Sequence, residues 1–412
     1  MSTLLSVAEA QVKLLSVFST LEPVMVPIDF SENSILAETV FASCDLPMFD
    51  NSGMDGFAVR DIDTQQASPE HPVNLDVIAD IPAGQQVNVS LAPGKAARIM
   101  TGAPIPDGAN AVIPVENTDF NLRQPGTPAP ATVKVFQSIK AGENIRVRGQ
   151  DVRFGEAILP AGQRLRPQDI GMLATLGIAS FTVIRKPRVA IFSSGDELLP
   201  VQGKLTPGKI YDSNSSMLLA LVNSCGAEAI WLGIARDNEQ DVRDCLEKAV
   251  KSRVDLIISS AGVSVGAFDF VKNVVEQGGR LDFWRVNMRP GKPLAFGNYQ
   301  DIPFVGLPGN PVSAFVGFEV FIRPALRRMG GLPEFDRKQQ KVILEDEIQS
   351  DGRESFLRAI VRRDGEKILA SLTGHQGSGN LRSLVQANAL LLVASGVKSL
   401  PIGSVVDAWL FE

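Results

Sequence analysis

Apolar positions along the chain change their period several times, and each change marks a different kind of element. Between residues 7 and 18 they recur at helical spacing, at Val7, Val12, Leu15 and Phe18. Ser31-Glu-Asn-Ser then brings capping chemistry ahead of Ile35 and Leu36, so the start of the chain reads as helical. From Leu46 onward short valine- and isoleucine-rich runs at 55–60, 73–81, 96–100, 111–115 and 133–139 are separated by Gly/Pro turns, the texture of an inserted β domain. A short helix over 168–177, stopped by Gly177, returns the chain to its helical opening.

Near Lys186 the pattern changes again. Apolar strand runs at 188–194, 230–235, 255–260 and 302–307 alternate with helical segments at 213–225, 238–252 and from 270 onward, and a long helix is expected over 312–329. This is a doubly wound α/β domain with a mostly parallel sheet, whose ligands sit beyond the carboxyl ends of the strands. After Leu332, short alternating strands at 341–344, 355–361, 367–370, 390–393 and 405–411 read as a small β-barrel or sandwich. The expected organisation is therefore a discontinuous helical domain (1–45 and 144–185), an inserted β domain (46–143), the wound α/β domain (186–331) and a C-terminal β-barrel (332–412).

Composition narrows the function. Forty Lys and Arg against 46 Asp and Glu leave a net charge of −6, which argues against a nucleic-acid surface and requires any anion site to be built locally. Cys44, Cys225 and Cys245 form no CxxC pair and the two histidines lie far apart, so a structural zinc site is not expected and a cytoplasmic location is. No run is long enough to span a membrane, and the N-terminus has no basic start before a continuous apolar core.

The chemistry concentrates in the loops after the wound strands. Gly262 and Gly266, between a strand and a helix, read either as a tight connection or as a cradle for a phosphate, with Asp269 either capping the helix or facing the anion to hold a metal ion or water. Ser193-Ser-Gly-Asp-Glu, Tyr211-Asp-Ser-Asn and Arg236-Asp237 add polar, acid-bearing loops on the same presumptive edge. Arg285, Arg289 and Lys292 lie on a proline-stiffened loop, and Asn310 with Pro311 starts the long helix as a second candidate anion cradle. No Walker A pattern occurs, so P-loop nucleotide hydrolysis is disfavoured. In the insert, the turn around Asp55-Gly reads as a hairpin or as a site, Thr101 as a hydroxyl donor or a strand end, and Arg146, Arg148 and Asp151 as a solvated strand.

Six stretches in order, Asn51-Ser-Gly-Met-Asp-Gly, Arg98-Ile-Met-Thr-Gly-Ala-Pro, Ser194-Gly-Asp-Glu-Leu, Gly262-Val-Ser-Val-Gly, Arg289-Pro-Gly-Lys-Pro and Gly306-Leu-Pro-Gly-Asn-Pro-Val-Ser-Ala, make the chain resemble the molybdopterin molybdenumtransferases, the bacterial MoeA proteins and the E-domain of gephyrin. The resemblance implies a homodimer in which molybdate is inserted into adenylylated molybdopterin with release of AMP, with Mg2+ as cofactor and a possible molybdopterin adenylyltransferase partner. By the same resemblance Asp269, Asp55, Glu197 and Asp237 are expected to be catalytic, with Asp269 and Glu197 holding magnesium. Thr101, Gly195, Asp196, Gly262, Ser264, Gly266, Arg289, Lys292, Pro308, Asn310 and Pro311 are expected to bind substrate. Three positions depart from the family pattern: Gly53 for alanine, Phe57 for tyrosine and Ala261 for glycine. The rival readings are a molybdopterin adenylyltransferase-like or nucleotide-amidase-like enzyme, or a gephyrin-like scaffold.

Overall fold

The computed structural model describes residues 4–30, 32–85, 87–121, 124, 126–260, 268–332 and 337–411, with the side chains of Phe30, Phe268, Asp269, Phe283 and Trp284 outside that description. The chain gathers into two units, residues 1–38, 161–166 and 180–412 in one and residues 39–160 and 167–179 in the other.

In the first unit the apolar runs form a seven-stranded sheet in the order Leu4–Leu5, Gly279–Val286, Pro293–Tyr299, Ile302–Leu307, Leu256–Ser260, Arg188–Ser194 and Glu228–Ala235. Four of its pairings are parallel and the two made by Pro293–Tyr299 are antiparallel, so the sheet is mostly parallel as expected. Alternation along the central strands explains why they are apolar throughout. Val189, Ile191 and Ile258 enter one core, while Ala190, Phe192 and Ile257 enter the other. The first core takes the helix Ser213–Ser224, and the second takes Glu239–Lys251 and Phe268–Gly278. Glu239–Lys251 shows how local chemistry sets a helix end: Asn238 accepts the N–H of Asp241, Glu239 and Asp241 sit in the first turn, and Lys248 and Lys251 in the last.

The long helix expected over 312–329 is helical from Pro311 to Met329 but widens into a π turn at Phe318–Ile322. That turn buries Phe318, Phe321 and Ile322, each contributing about 1.5–3 kcal/mol by leaving water. It also buries Glu319, which Arg337 meets with Nε and Nη2 at 2.8 and 2.9 Å, so the buried carboxylate is paired.

The N-terminal helix forms over Val7–Leu15, closed at its start by a reciprocal Ser6–Glu9 capping box, and its Ala10 and Leu14 join the first core. The second expected helix does not form. Asn33 takes a left-handed conformation (φ 61°), which turns the chain, and Ile35–Leu36 then pairs as a strand with Ser180–Ile184, which also pairs with Pro23–Pro27. Across the stretches expected to be helical, 1–45 and 144–185, the described α-helices are Val7–Leu15 and Pro167–Thr175, and short strands fill much of the rest.

The C-terminal strands Gln339–Leu344, Glu354–Asp364, Lys367–Leu372, Ala389–Val393 and Val405–Leu410 close on themselves, because Glu354–Asp364 pairs with both Lys367–Leu372 and Ala389–Val393. The result is a barrel rather than a sandwich. Two residues from the wound domain, Met288 and Arg289, pair in parallel with Glu354 and Ser355 of this barrel.

The second unit holds a five-stranded sheet in the order Thr132–Val135, Val73–Ile81, Lys95–Ile99, Gly56–Val59 and Ala111–Pro114. Its two faces carry separate cores, with Phe57 and Val59 in one and Ala58 in the other. Gly56 is required by close approach, since a Cβ there would lie 1.9 Å from the Ile113 carbonyl oxygen. Phe57 is fully buried and meets Phe120 edge-on at 5.9 Å, so the departure from tyrosine removes a hydroxyl from a core. At Gly53 a Cβ would meet its nearest neighbour, the Asn144 carbonyl oxygen, at 3.4 Å, so the alanine of the family pattern fits there.

Candidate active site

The loops beyond the carboxyl ends of Arg188–Ser194 and Ile302–Leu307, with Ser260 at the end of Leu256–Ser260, line a cleft of about 790 Å³ that lies within the first unit. Of the residues expected to act here, Gly195, Glu197, Arg289, Lys292, Pro308, Asn310 and Pro311 line it.

Asp196 and Asp237 do not line it but clasp two of its loops together. The N–H of Asp196 donates to Asp237 Oδ2 at 3.3 Å, and the N–H of Asp237 donates to Asp196 Oδ1 at 3.2 Å. Lys209 Nζ donates to the Asp196 carbonyl. Gly195 just before this clasp has φ +150°, and a Cβ on it would lie 2.5 Å from Glu197 Oε2, so a side chain there would displace the Glu197 carboxylate. Asp55 and Thr101 lie in the second unit, where Asp55 Oδ1 accepts both the N–H and the hydroxyl of Thr101 at 2.8 Å. Gly262, Ser264 and Gly266, with Ala261, lie outside the described residues; Asp269 stands in the first turn of Phe268–Gly278, its side chain outside the description.

Asn310 is the residue before the long helix, with Pro311 in the first turn as expected, but its side chain makes no cap. Its amide instead donates to Ser378 Oγ at 3.1 Å, and the Val312 N–H donates to the Ser378 carbonyl at 3.1 Å. That end of the helix is therefore partly closed by a loop of the C-terminal barrel, and it is not the open cradle that the sequence suggests.

Cationic groups also line the cleft. Arg289 and Lys292 are joined by Arg353 from the barrel, which was not apparent from the sequence. Arg353 is held by Asp351 (Nε to Oδ2, 2.9 Å), and this hydrogen bond draws the Asp351 carboxyl down to about 2. Among the described residues neither Arg289 nor Lys292 forms an ion pair. Behind the wall, Arg358 is wholly buried. Its Nη2 donates to the Gly377 carbonyl (3.1 Å) and its Nε to Ser383 Oγ (3.1 Å), while Nη1 has no partner among the described residues. Burial, and then repulsion from Arg289, pull its guanidinium down to about 10. Two mutually repelling cations beside a cleft form a place where an anion is welcome.

The remaining wall is polar and buried. Ser193 Oγ donates to Asp212 Oδ1 at 3.1 Å and lies 2.9 Å from Ser215 Oγ, and the Ser215 N–H donates to the same Asp212 oxygen at 3.0 Å. Asn214 Nδ2 donates to Ser260 Oγ and to the Gly309 carbonyl, both at 2.8 Å. In the sequence these residues showed only as a polar loop. The barrel residues Arg353, Gln376, Gly377 and Ser378 carried no local signal there. Arg146 and Arg148 pair with Asp151 and Asp45 on the surface, as a solvated strand should.

Three family models match along the chain: the MoeA N-terminal region (domains I and II) over residues 5–177, a probable molybdopterin binding domain over 190–328, and the MoeA C-terminal region (domain IV) over 341–411. The chain is 39% identical over 411 residues to molybdopterin molybdenumtransferase 2 of Mycobacterium tuberculosis, covering 98% of this chain and 99% of that protein. It is 37% identical over 390 residues to the molybdopterin molybdenumtransferase of Bacillus subtilis, covering 94% and 89%. A crystal structure of the molybdopterin biosynthesis MoeA protein from Pyrococcus horikoshii OT3 is similar at a TM-score of 0.75 and 32% identity, over 99% of this chain and 100% of that one.

Proposed function

Because the chain belongs to the molybdopterin molybdenumtransferase family, we propose that its cleft receives adenylylated molybdopterin and molybdate and releases AMP as molybdenum enters the pterin's dithiolene. The protein is a transferase of molybdenum cofactor biosynthesis. The adenylyltransferase-like, amidase-like and scaffold readings are not favoured, since full-length relatives bear the molybdenumtransferase name.

The observation that carries the detailed reading is the excess of positive charge on one wall of the cleft. Among the described residues Arg289 and Lys292 stand without ion pairs, in a chain of net charge −6, with Arg358 buried nearby. Molybdate and the substrate's phosphates are anions, and preorganised cations in a partly dry cleft stabilise them more than water does. Glu197 on the loop after Arg188–Ser194 and Asp269 at the start of its helix are the carboxylates we assign to magnesium, which usually takes one or two carboxylates together with substrate phosphates. When bound, that ion would neutralise charge on the phosphates.

The proposal extends to Gly262, Ser264 and Gly266 as phosphate ligands, to Asp55 as a catalytic acid and Thr101 as a substrate contact, and to Asp196 and Asp237 as holders of the Glu197 loop. It includes a homodimer, a cytoplasmic setting, a possible adenylyltransferase partner, and the four-domain division at 1–45 with 144–185, 46–143, 186–331 and 332–412. No helix among the described residues is long and apolar enough to cross a membrane. The deciding experiment measures AMP release from adenylylated molybdopterin with and without molybdate. No AMP in either condition, from folded protein, would refute the reading.

A further inference from the structure

Two side chains on the polar wall carry oxygen acceptors that no described residue satisfies. Asp212 and Asn214 both line the cleft and are 4% and 8% exposed, and among the described residues Asp212 Oδ2 and Asn214 Oδ1 each lack a hydrogen-bond partner. The Asn214 amide is oriented by its Nδ2 bond to the Gly309 carbonyl, so the oxygen left over is an acceptor. Buried acceptors without donors are rare and costly, which makes a ligand's N–H groups the natural complement. Directly before Asp212 stands Tyr211, 42% exposed and on the cleft wall with Leu198 and Ile210, an apolar surface suited to a flat ring.

We propose that Asp212 and Asn214 determine specificity for the pterin, reading the adjacent N3–H and 2-amino donors of its pyrimidinone edge while Tyr211 supports the ring. This rests on the molybdopterin reading above and adds which end of the substrate lies here. Adenine is the poorer fit, because its hydrogen-bonding edge alternates a donor with acceptors, whereas the pterin edge offers two neighbouring donors to two acceptors. The pterin thus lies on the Tyr211 side, and the phosphates lie toward Arg289 and Lys292.

The test compares binding of pterin-6-carboxylate with lumazine-6-carboxylate, which keeps N3–H but carries a carbonyl in place of the 2-amino group. The wild type should bind the pterin about tenfold more tightly, or better, as expected for a lost bond to a charged acceptor. Asp212→Asn keeps an oxygen for Ser215 and Ser193 but turns the free position into a donor, so it should erase or invert that preference while leaving AMP affinity unchanged. Equal binding of the two pteridines by the wild type, an unchanged preference in the variant, or an effect on AMP instead of the pterin would each overturn the proposal. Should Asp212→Asn fail to fold, Tyr211→Leu takes its place: it should weaken both pteridines alike, by about tenfold for a lost stacking surface, and no weakening would refute the proposal. AMP release by the wild type is measured alongside. If it fails while the pterin preference and its inversion persist, the reaction assignment falls and the subsite stands.

Discussion

The N–H groups of Asp196 and Asp237 each donate to the other's carboxylate, at 3.3 and 3.2 Å, so two acids from different loops are engaged in holding those loops together. In the function proposed above, Asp237 acts through this pairing to position Glu197, the residue next to Asp196. Asp237→Asn, which retains an acceptor for the Asp196 N–H, should keep most of the turnover, whereas Asp237→Ala should lose about tenfold, in line with one lost hydrogen bond to a charged group. AMP-release kinetics distinguish the cases. If the asparagine variant is as impaired as the alanine variant, the charge itself takes part in the reaction.

Asp269→Asn is expected to leave thermal unfolding unchanged and to stop adenylate cleavage, because the function proposed above gives this residue, in the first turn of Phe268–Gly278, the task of holding magnesium or orienting water. Parental AMP release from the folded variant would remove Asp269 from the mechanism.

Replacing both Arg289 and Lys292 with alanine should raise the molybdate concentration needed for half-maximal insertion by about tenfold or more, since each can make a charge-assisted bond to an oxyanion. The parent's molybdate dependence should weaken with added salt, and that sensitivity should shrink in the double variant. Overlapping molybdate curves for parent and variant would place the oxyanion elsewhere.

Asp351 tests the same wall with the opposite sign. Its folded pKa lies below the ordinary 3.8, at about 2, chiefly through the hydrogen bond from Arg353. Its contribution to stability is therefore complete above about pH 4 and lost as the pH falls through about 2. At neutral pH the carboxylate partly neutralises Arg353. Asp351→Asn should lower the half-saturating molybdate concentration roughly two- to fivefold by exposing that charge, as expected for a solvent-screened ion pair. An increase would mean that Asp351 matters by aiming Arg353 rather than by offsetting it.

Much of this was legible in local pattern. The apolar runs and glycine stops of the wound domain carry their own period, and the Gly195–Glu197, Arg289–Lys292 and Pro308–Pro311 stretches stand out as loops rich in chemistry. Arg353 and Ser378 were not, because their place at the cleft follows from barrel closure, a pairing of strands far apart in sequence. Ile35–Leu36 misled for a local reason: polar residues that resemble a helix cap instead surround a left-handed turn at Asn33. The roles of Asp212 and Asn214 were hidden because an unpaired oxygen is a property of surroundings, not of residue type.

The two-residue pairing of Met288–Arg289 with Glu354–Ser355 ties the cationic wall to the barrel. Met288 is wholly buried in the core that also holds Phe356, Leu390 and Trp409 of the barrel, so packing fixes the separation of Arg289 and Arg353 along with the strand pairing. A cavity cut into that core, far from any anion, would therefore be felt as weaker oxyanion binding, so that stability and affinity at this wall rise and fall together.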